Sequence, residues 1–267
     1  MRRLPLPLLR HNKAVSYTMS AIIITAVTVA LVIATSVYAY QVLERQRGAA
    51  EFEVAKKSIL AFNDALENVA WKPKSSRSVR FTIEYGNLEL MPDASILNVS
   101  ATVGSNEYLL NSTSTGLARY SIKNSYVNFG EGHESYILGD ASLIVTEGTE
   151  SLGRALIGQE LGWVNITLSY RTRAMRASVI EVNGTDVNYV NVSIVKVLIG
   201  QWSTHIHTFD LKARCLDVKT SALSVDAGVE NCTIRVQSGG ESDSTVIPLD
   251  PGKVVFNVIV AEVEVTL

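Results

Sequence analysis

The chain has 267 residues, 19% charged and 47% hydrophobic, with two cysteines and six prolines. That length gives one large domain or two small ones with a buried core, and the composition excludes a disulfide-stapled miniprotein and a disordered chain. A formal net charge of −2 leaves no electrostatic footprint for nucleic acid, which is not expected as a partner. Mean hydropathy is +0.18, and its uneven distribution sets the first element apart.

From Ala14 to Leu43 there is no charged side chain, and Ala21 to Ala34 reads AIIITAVTVALVIA. A helix rises ~1.5 Å per residue, so Tyr17 to Tyr40 is long enough to cross a bilayer. The stretch is rich in Val, Ile and Thr, yet in lipid a single segment satisfies its backbone only as a helix. Arg2, Arg3, Arg10 and Lys13 precede it, with no acid among them; behind it Arg45 and Arg47 are diluted by Glu44, Glu51 and Glu53. The positive-inside rule then places the N-terminus in the cytoplasm and everything beyond Tyr40 outside.

Three fates fit this segment: a permanent signal anchor, a signal peptide cut after Val37-Tyr38-Ala39, or a leader cut before the apolar run. The junction Lys13-Ala14-Val15-Ser16, followed by Thr25-Ala26-Val27-Thr28-Val29-Ala30, resembles that of archaeal type IV pilins. The match covers about 25 residues. Bacterial members carry a glutamate at the fifth mature position; Met19 stands there, which favours the archaeal branch, whose members generally lack it. The resemblance implies a basic leader at 1–14, removed between Ala14 and Val15 by a prepilin peptidase.

Residues 41–71 keep the helical period. Phe52, Ala55, Ile59, Phe62, Leu66 and Val69 make an apolar stripe at alternating steps of three and four, with Glu53, Lys56, Lys57, Asp64 and Glu67 mostly off it. Lys72-Pro73 ends the element. The sequence thus predicts one helix over 15–71, apolar at 17–40 and amphipathic at 41–71, the stripe packing on the chain's own domain or pairing in a coiled-coil stalk.

Beyond Ser75-Ser76 the period becomes two. Val79, Phe81, Ile83 and Tyr85 alternate with polar residues, as do Val164 to Tyr170 and Val190 to Ile194, and Val254 to Leu267 is a further strand. Turns are expected at Met91-Pro92-Asp93, Asn183-Gly184-Thr185, Ser238-Gly239-Gly240 and Asp250-Pro251-Gly252. The pattern predicts roughly ten to twelve short strands over 75–267 in an antiparallel β-sandwich, with room for a short helix near Ser151 to Gly158. The fold class is mainly β with one long N-terminal α-helix, a pilin-like lollipop.

Six glycosylation sequons begin at Asn98, Asn111, Asn165, Asn183, Asn191 and Asn231, all beyond the apolar segment, where composition alone gives about two or three. Asn165 and Thr167 share a strand face, as do Asn191 and Ser193, opposite the apolar residues. N-linked glycans are therefore expected. Cys215 and Cys232, outside the cytoplasm, are expected to form a disulfide worth about 3 kcal/mol. With His205 and His207 they also compose a zinc-type ligand set, but the spacing matches no zinc pattern and no metal is expected. Glu131-Gly132-His133-Glu134-Ser135 places acids beside a histidine in a glycine-flanked loop without a paired partner, and Glu147, Glu150 and Asp226 read as solvated charges. No hydrolase, metalloprotease or phosphate-loop motif is present, so no enzyme activity, catalytic residue or cofactor is assigned.

The resemblance implies a structural subunit, major or minor, of a pilus-like surface filament, stored in the membrane and polymerised through its N-terminal helices by assembly machinery. Loss of the leader would leave 20 basic against 26 acidic residues. The alternative is a permanently anchored, glycosylated surface protein whose β-sandwich is an adhesion or binding module.

Overall fold

The computed structural model describes residues 12–201, 207–226 and 228–267, with side chains from Tyr17 onward. It divides into two compact units, one up to Arg47 and one from Gly48 to Leu267. Helix α1 (Asn12–Ala70) belongs to both. Its first described residue, Asn12, precedes the expected Val15, and it ends at Ala70, where Ser75 Oγ caps the Val69 and Lys72 carbonyls at 3.1 and 2.5 Å. A long helix, apolar at its N-terminal end and followed by a β-rich domain, is a pilin-like architecture.

Thirteen strands follow among the described residues: β1 (Ser76–Thr82), β2 (Asn87–Val103), β3 (Asn106–Lys123), β4 (Glu134–Leu138), β5 (Ile144–Val145), β6 (Gly153–Glu160), β7 (Trp163–Tyr170), β8 (Thr172–Val182), β9 (Thr185–Ile199), β10 (Thr208–Asp226), β11 (Asn231–Ser238), β12 (Glu241–Pro248) and β13 (Gly252–Thr266). They form two sheets, ordered β1-β10-β13-β9-β8-β5 and β12-β11-β2-β3-β7-β6-β4. Several strands are longer than the expected short ones, up to the 19 residues of β10. Met91-Pro92-Asp93 is one cause. It is a bulge inside β2, the register slipping between Met91 and Ser95 with Asp93 at φ 48°, so two apparent strands are one. The segment from Ser151 forms β6, not a helix: its Gly153–Glu160 alternation buries every second residue. The sandwich is not wholly antiparallel either, since β9 runs parallel to β13 and β5 to β8.

Two apolar clusters fill the domain. In the first, residues 52–70 of α1 pack with Phe81, Leu88, Tyr120, Ile166, Leu211 and Val263, side chains drawn from both sheets. In the second no helix intervenes, and Val99, Ala101, Ile234 and Val236 of one sheet pack with Val190, Val192, Phe256 and Val258 of the other. The changeover occurs inside single strands: Ile194 belongs to the second cluster and Val195, its neighbour on β9, to the first. There the sheets touch, Val197 N–H donating to Thr115 Oγ1 at 3.0 Å.

Candidate functional site

Every residue from Tyr17 to Gln41 is exposed. The stretch includes Ile22, Ile23, Ile24, Leu31, Val32 and Ile33, each more than half accessible. It passes the length and apolarity criteria for a membrane span, which fits either membrane insertion or a signal sequence. Four of its hydroxyls are satisfied within the helix. Thr25, Thr28, Thr35 and Ser36 each donate a hydroxyl to the carbonyl four residues earlier, at 2.6–2.8 Å. These four hydroxyls can therefore enter an apolar medium already paired. Lys13, Ala14, Val15 and Ser16 have helical backbone, but their side chains and residues 1–11 lie outside the described residues.

From Gly48 onward the helix is held by its own domain. Phe52, Ala55, Ile59, Phe62, Leu66 and Val69 are all at most 2% exposed. Phe62 meets Phe81 edge-on at 6.3 Å, and Phe52 lies against Phe129 at 5.8 Å. Two helix carboxylates, Glu51 and the off-stripe Glu67, fasten the helix to the sheets. Glu51 accepts from the N–H groups of Glu84, Tyr85 and Gly86 at 2.7–2.8 Å and from the Tyr120 hydroxyl at 2.9 Å. Burial and the Glu51 charge together push the Tyr120 phenol well above its ordinary range. Glu67 accepts from Ser151 Oγ at 2.5 Å and from Gly153 N–H at 2.8 Å. Tyr170 nearby is raised first by burial and then by the charges of Glu67 and Asp64. No spacing in the sequence signals either clamp, because the donors from the β-domain are 33 or more residues away.

The six sequon asparagines separate by accessibility. Asn183 is exposed and occupies the tip of the β8–β9 hairpin, where Asn183 and Gly184 have φ of 53° and 77°. That Asn-Gly pair is the sequence which takes positive φ at both positions of a two-residue turn. Asn231 is exposed at the start of β11. The others are half-buried on strand faces: Asn98 accepts from Ser112 at 2.7 Å, Asn165 from Ser121 at 2.6 Å and Asn191 from Asn257 at 3.3 Å, while Asn111 Oδ1 is buried without a partner.

The expected disulfide is not formed; both thiols are free and buried. Cys232 is the second residue of β11, whereas Cys215 lies eleven residues before the end of β10 in the other sheet. At ~3.3 Å per strand residue that separates them by about 35 Å along the strand, far beyond disulfide reach. Cys215 donates instead to the Ala70 carbonyl at 3.2 Å, and burial pushes the Cys232 thiol up to about 11.

The zinc-type set is likewise not assembled. His207 Nδ1 lies 3.3 Å from the Ile83 carbonyl, His205 lies outside the described residues, and among those described no three His, Cys, Asp or Glu side chains form a metal-sized group. The Glu131–Ser135 loop has partners after all: Glu131 accepts from Leu161 N–H at 2.7 Å, and His133 Nε2 lies 3.0 Å from Ser135 Oγ. The Asp226 charge sits 3.6 Å from Lys253. A further unanticipated residue is Arg171, whose side chain is 1% exposed and spans Asp140 at 3.1 Å, Ser142 at 3.2 Å and the Ser151 carbonyl at 2.7 Å. Compared with known proteins, the chain matches no protein-family model, no curated protein and no solved structure.

Proposed function

We propose that this chain is a structural subunit of a pilus-like surface filament of archaeal type IV character, which polymerises through the apolar part of α1. The observation that carries the reading is the complete exposure of residues 17–41. An apolar surface of this extent needs a second medium, first lipid and then other copies of itself. Ala26, Ala30 and Ala34 recur every fourth residue, a spacing of small side chains that lets helices approach closely where no hydrophobic drive separates them from lipid. Cleavage between Ala14 and Val15 would take away Arg2, Arg3, Arg10 and Lys13, the charges that hold the helix end at the cytoplasmic face, and so permit extraction. The Glu51 and Glu67 clamps suit a subunit pulled by its helix, because they tie that helix into the β-domain by polar contacts as well as by burial.

Glycans on the exposed Asn183 and Asn231 belong to the same proposal. The test is electron microscopy of sheared surface material with an antibody to the β-domain, beside a Val29→Glu variant. Decorated filaments from the parent and none from the variant are the expected result. A chain that stays in the membrane fraction, with no filament labelled, would refute polymerisation and leave the anchored binding module.

A further inference from the structure

On the outer face of the second sheet, two adjoining openings of about 380 and 400 Å³ share Arg119, Glu160 and Asn165 and together form one groove. Each falls within the ~300–1,000 Å³ range of small-ligand clefts. The cross-strand register lays its floor: Glu89, Arg119 and Thr167 stand side by side across β2, β3 and β7, next to a second row of Asn87, Ser121 and Asn165. Trp163, 40% exposed, closes one end.

Three features bear on what the groove can hold. Arg119 Nε is buried without a partner, so a guanidinium donor is left unpaired at the centre of the floor. Leu161, at the β6–β7 hairpin tip, is 84% exposed and held at φ 51°, a region that costs a branched residue energy. Its N–H is anchored by Glu131, so the tip is fixed over the groove. Finally, Trp163, Asn165 and Thr167 alternate along β7, so the indole, the acceptor amide and the sequon hydroxyl all point to one face.

We propose that this groove is the seat of a saccharide attached to Asn165: the first sugar packs on the Trp163 ring and its hydroxyls pair with Arg119 and Glu160. The inference rests on the reading that the sequons are modified, and it adds the half-buried Asn165 to the exposed Asn183 and Asn231. In the attachment step a phosphate-activated sugar donor yields its anomeric carbon to Asn165 Nδ2. The C–N bond forms, the bond to the phosphate leaving group breaks, and the amide proton is lost. Ser121 holds the other amide atom, Oδ1, at 2.6 Å, which leaves Nδ2 as the atom to be modified. The chemistry is that of any hydroxyl-rich ring: an amphipathic indole face for C–H groups and charged hydrogen-bonding partners for hydroxyls.

The test uses the full chain in detergent, made in a host that glycosylates surface proteins, as parent, Trp163→Ala, Thr167→Val and the double variant. Intact glycopeptide masses read occupancy at each sequon, and thermal unfolding reads the coupling. The expected result is an occupied Asn165 and a Trp163→Ala loss of about 2–4 °C that vanishes in the Thr167→Val background, where no sugar can be attached. An equal loss in both backgrounds would make Trp163 a hairpin residue only and overturn the inference. So would an empty Asn165 with sugar on Asn183 or Asn231. If no sequon carries sugar, the glycoprotein reading itself fails.

Discussion

Replacing Glu51 by alanine removes one carboxylate and strands four donors. Three are backbone N–H groups in the β1–β2 connection, at Glu84, Tyr85 and Gly86; the fourth is the Tyr120 hydroxyl. A hydrogen bond to a charged group contributes about 1.5–3 kcal/mol, and four sharing one carboxylate are not additive. The Glu84 N–H lies near solvent and finds water when the carboxylate goes, whereas the other three are part-buried. The net cost of Glu51→Ala should therefore be about 3–5 kcal/mol. Glu51→Gln keeps one acceptor oxygen but turns an NH₂ toward N–H donors, which should cost about 1–2 kcal/mol. The control is Glu53→Ala, two positions along the helix with its side chain 60% exposed and a 4.0 Å pairing to Lys56, for which under about 0.5 kcal/mol is expected. Urea unfolding of the full chain in detergent, followed by tryptophan fluorescence, ranks the three. If Glu51→Ala were no more destabilising than Glu53→Ala, the carboxylate would not fasten the helix and the reasoning would be wrong.

Further outcomes follow from the same contacts. Unfolding the protein in denaturant without reductant, then alkylating, should add two groups per chain by mass, while the native protein, with both thiols buried, reacts at neither; no addition after unfolding would restore the disulfide. Gly48→Ala, ordinarily stabilising by about 1 kcal/mol in a helix, should here destabilise by about 1–3 kcal/mol, because the new methyl would lie 2.4 Å from the Tyr126 ring; a raised unfolding temperature would contradict that packing. The Asp140 carboxyl is held below its ordinary 3.8 by the Ser142 hydroxyl and N–H, with Arg171 adding to them. Its contribution is therefore complete above about pH 4 and fades as pH falls through the depressed value. Because Asp140 is largely exposed, that contribution should be no more than about 1 kcal/mol. Asp140→Asn should flatten the fall of unfolding temperature between pH 5 and 2.5, and parallel profiles would refute the linkage.

The parts of this protein legible in its sequence are those with a strict period. The uncharged run from Ala14 to Leu43 and the stripe from Phe52 to Val69 follow from helix geometry alone, and the alternation in Val164–Tyr170 marks β7. What escaped was set by partners distant in the chain. Met91-Pro92-Asp93 has turn composition, yet β3 continues alongside it and makes it a bulge. The parallel pairing of β9 with β13 depends on where the chain returns after three intervening strands, which no local pattern records. Cys215 and Cys232 are close in sequence, but extended β10 carries them to different places. Glu51 and Glu67 look like surface charges because their neighbours on the helix are, and only the folded loops supply the N–H groups that make them clamps. The sequon asparagines were legible as motifs, and the turn composition around Asn183 marked its exposure, but the half-burial of Asn98 was set by the strands placed beside it.

In the proposed function α1 is released from its leader and then assembles with other copies. The most direct measurement is the N-terminus of the mature chain, read by mass spectrometry on protein from native membranes and from sheared surface filaments. A chain beginning at Val15, enriched in the filament fraction, is the expected result. An intact Met1 or Arg2 in both fractions would contradict it and leave a permanent anchor. A start at Tyr40 would contradict it more strongly, because the apolar half of the helix would be missing from the mature protein.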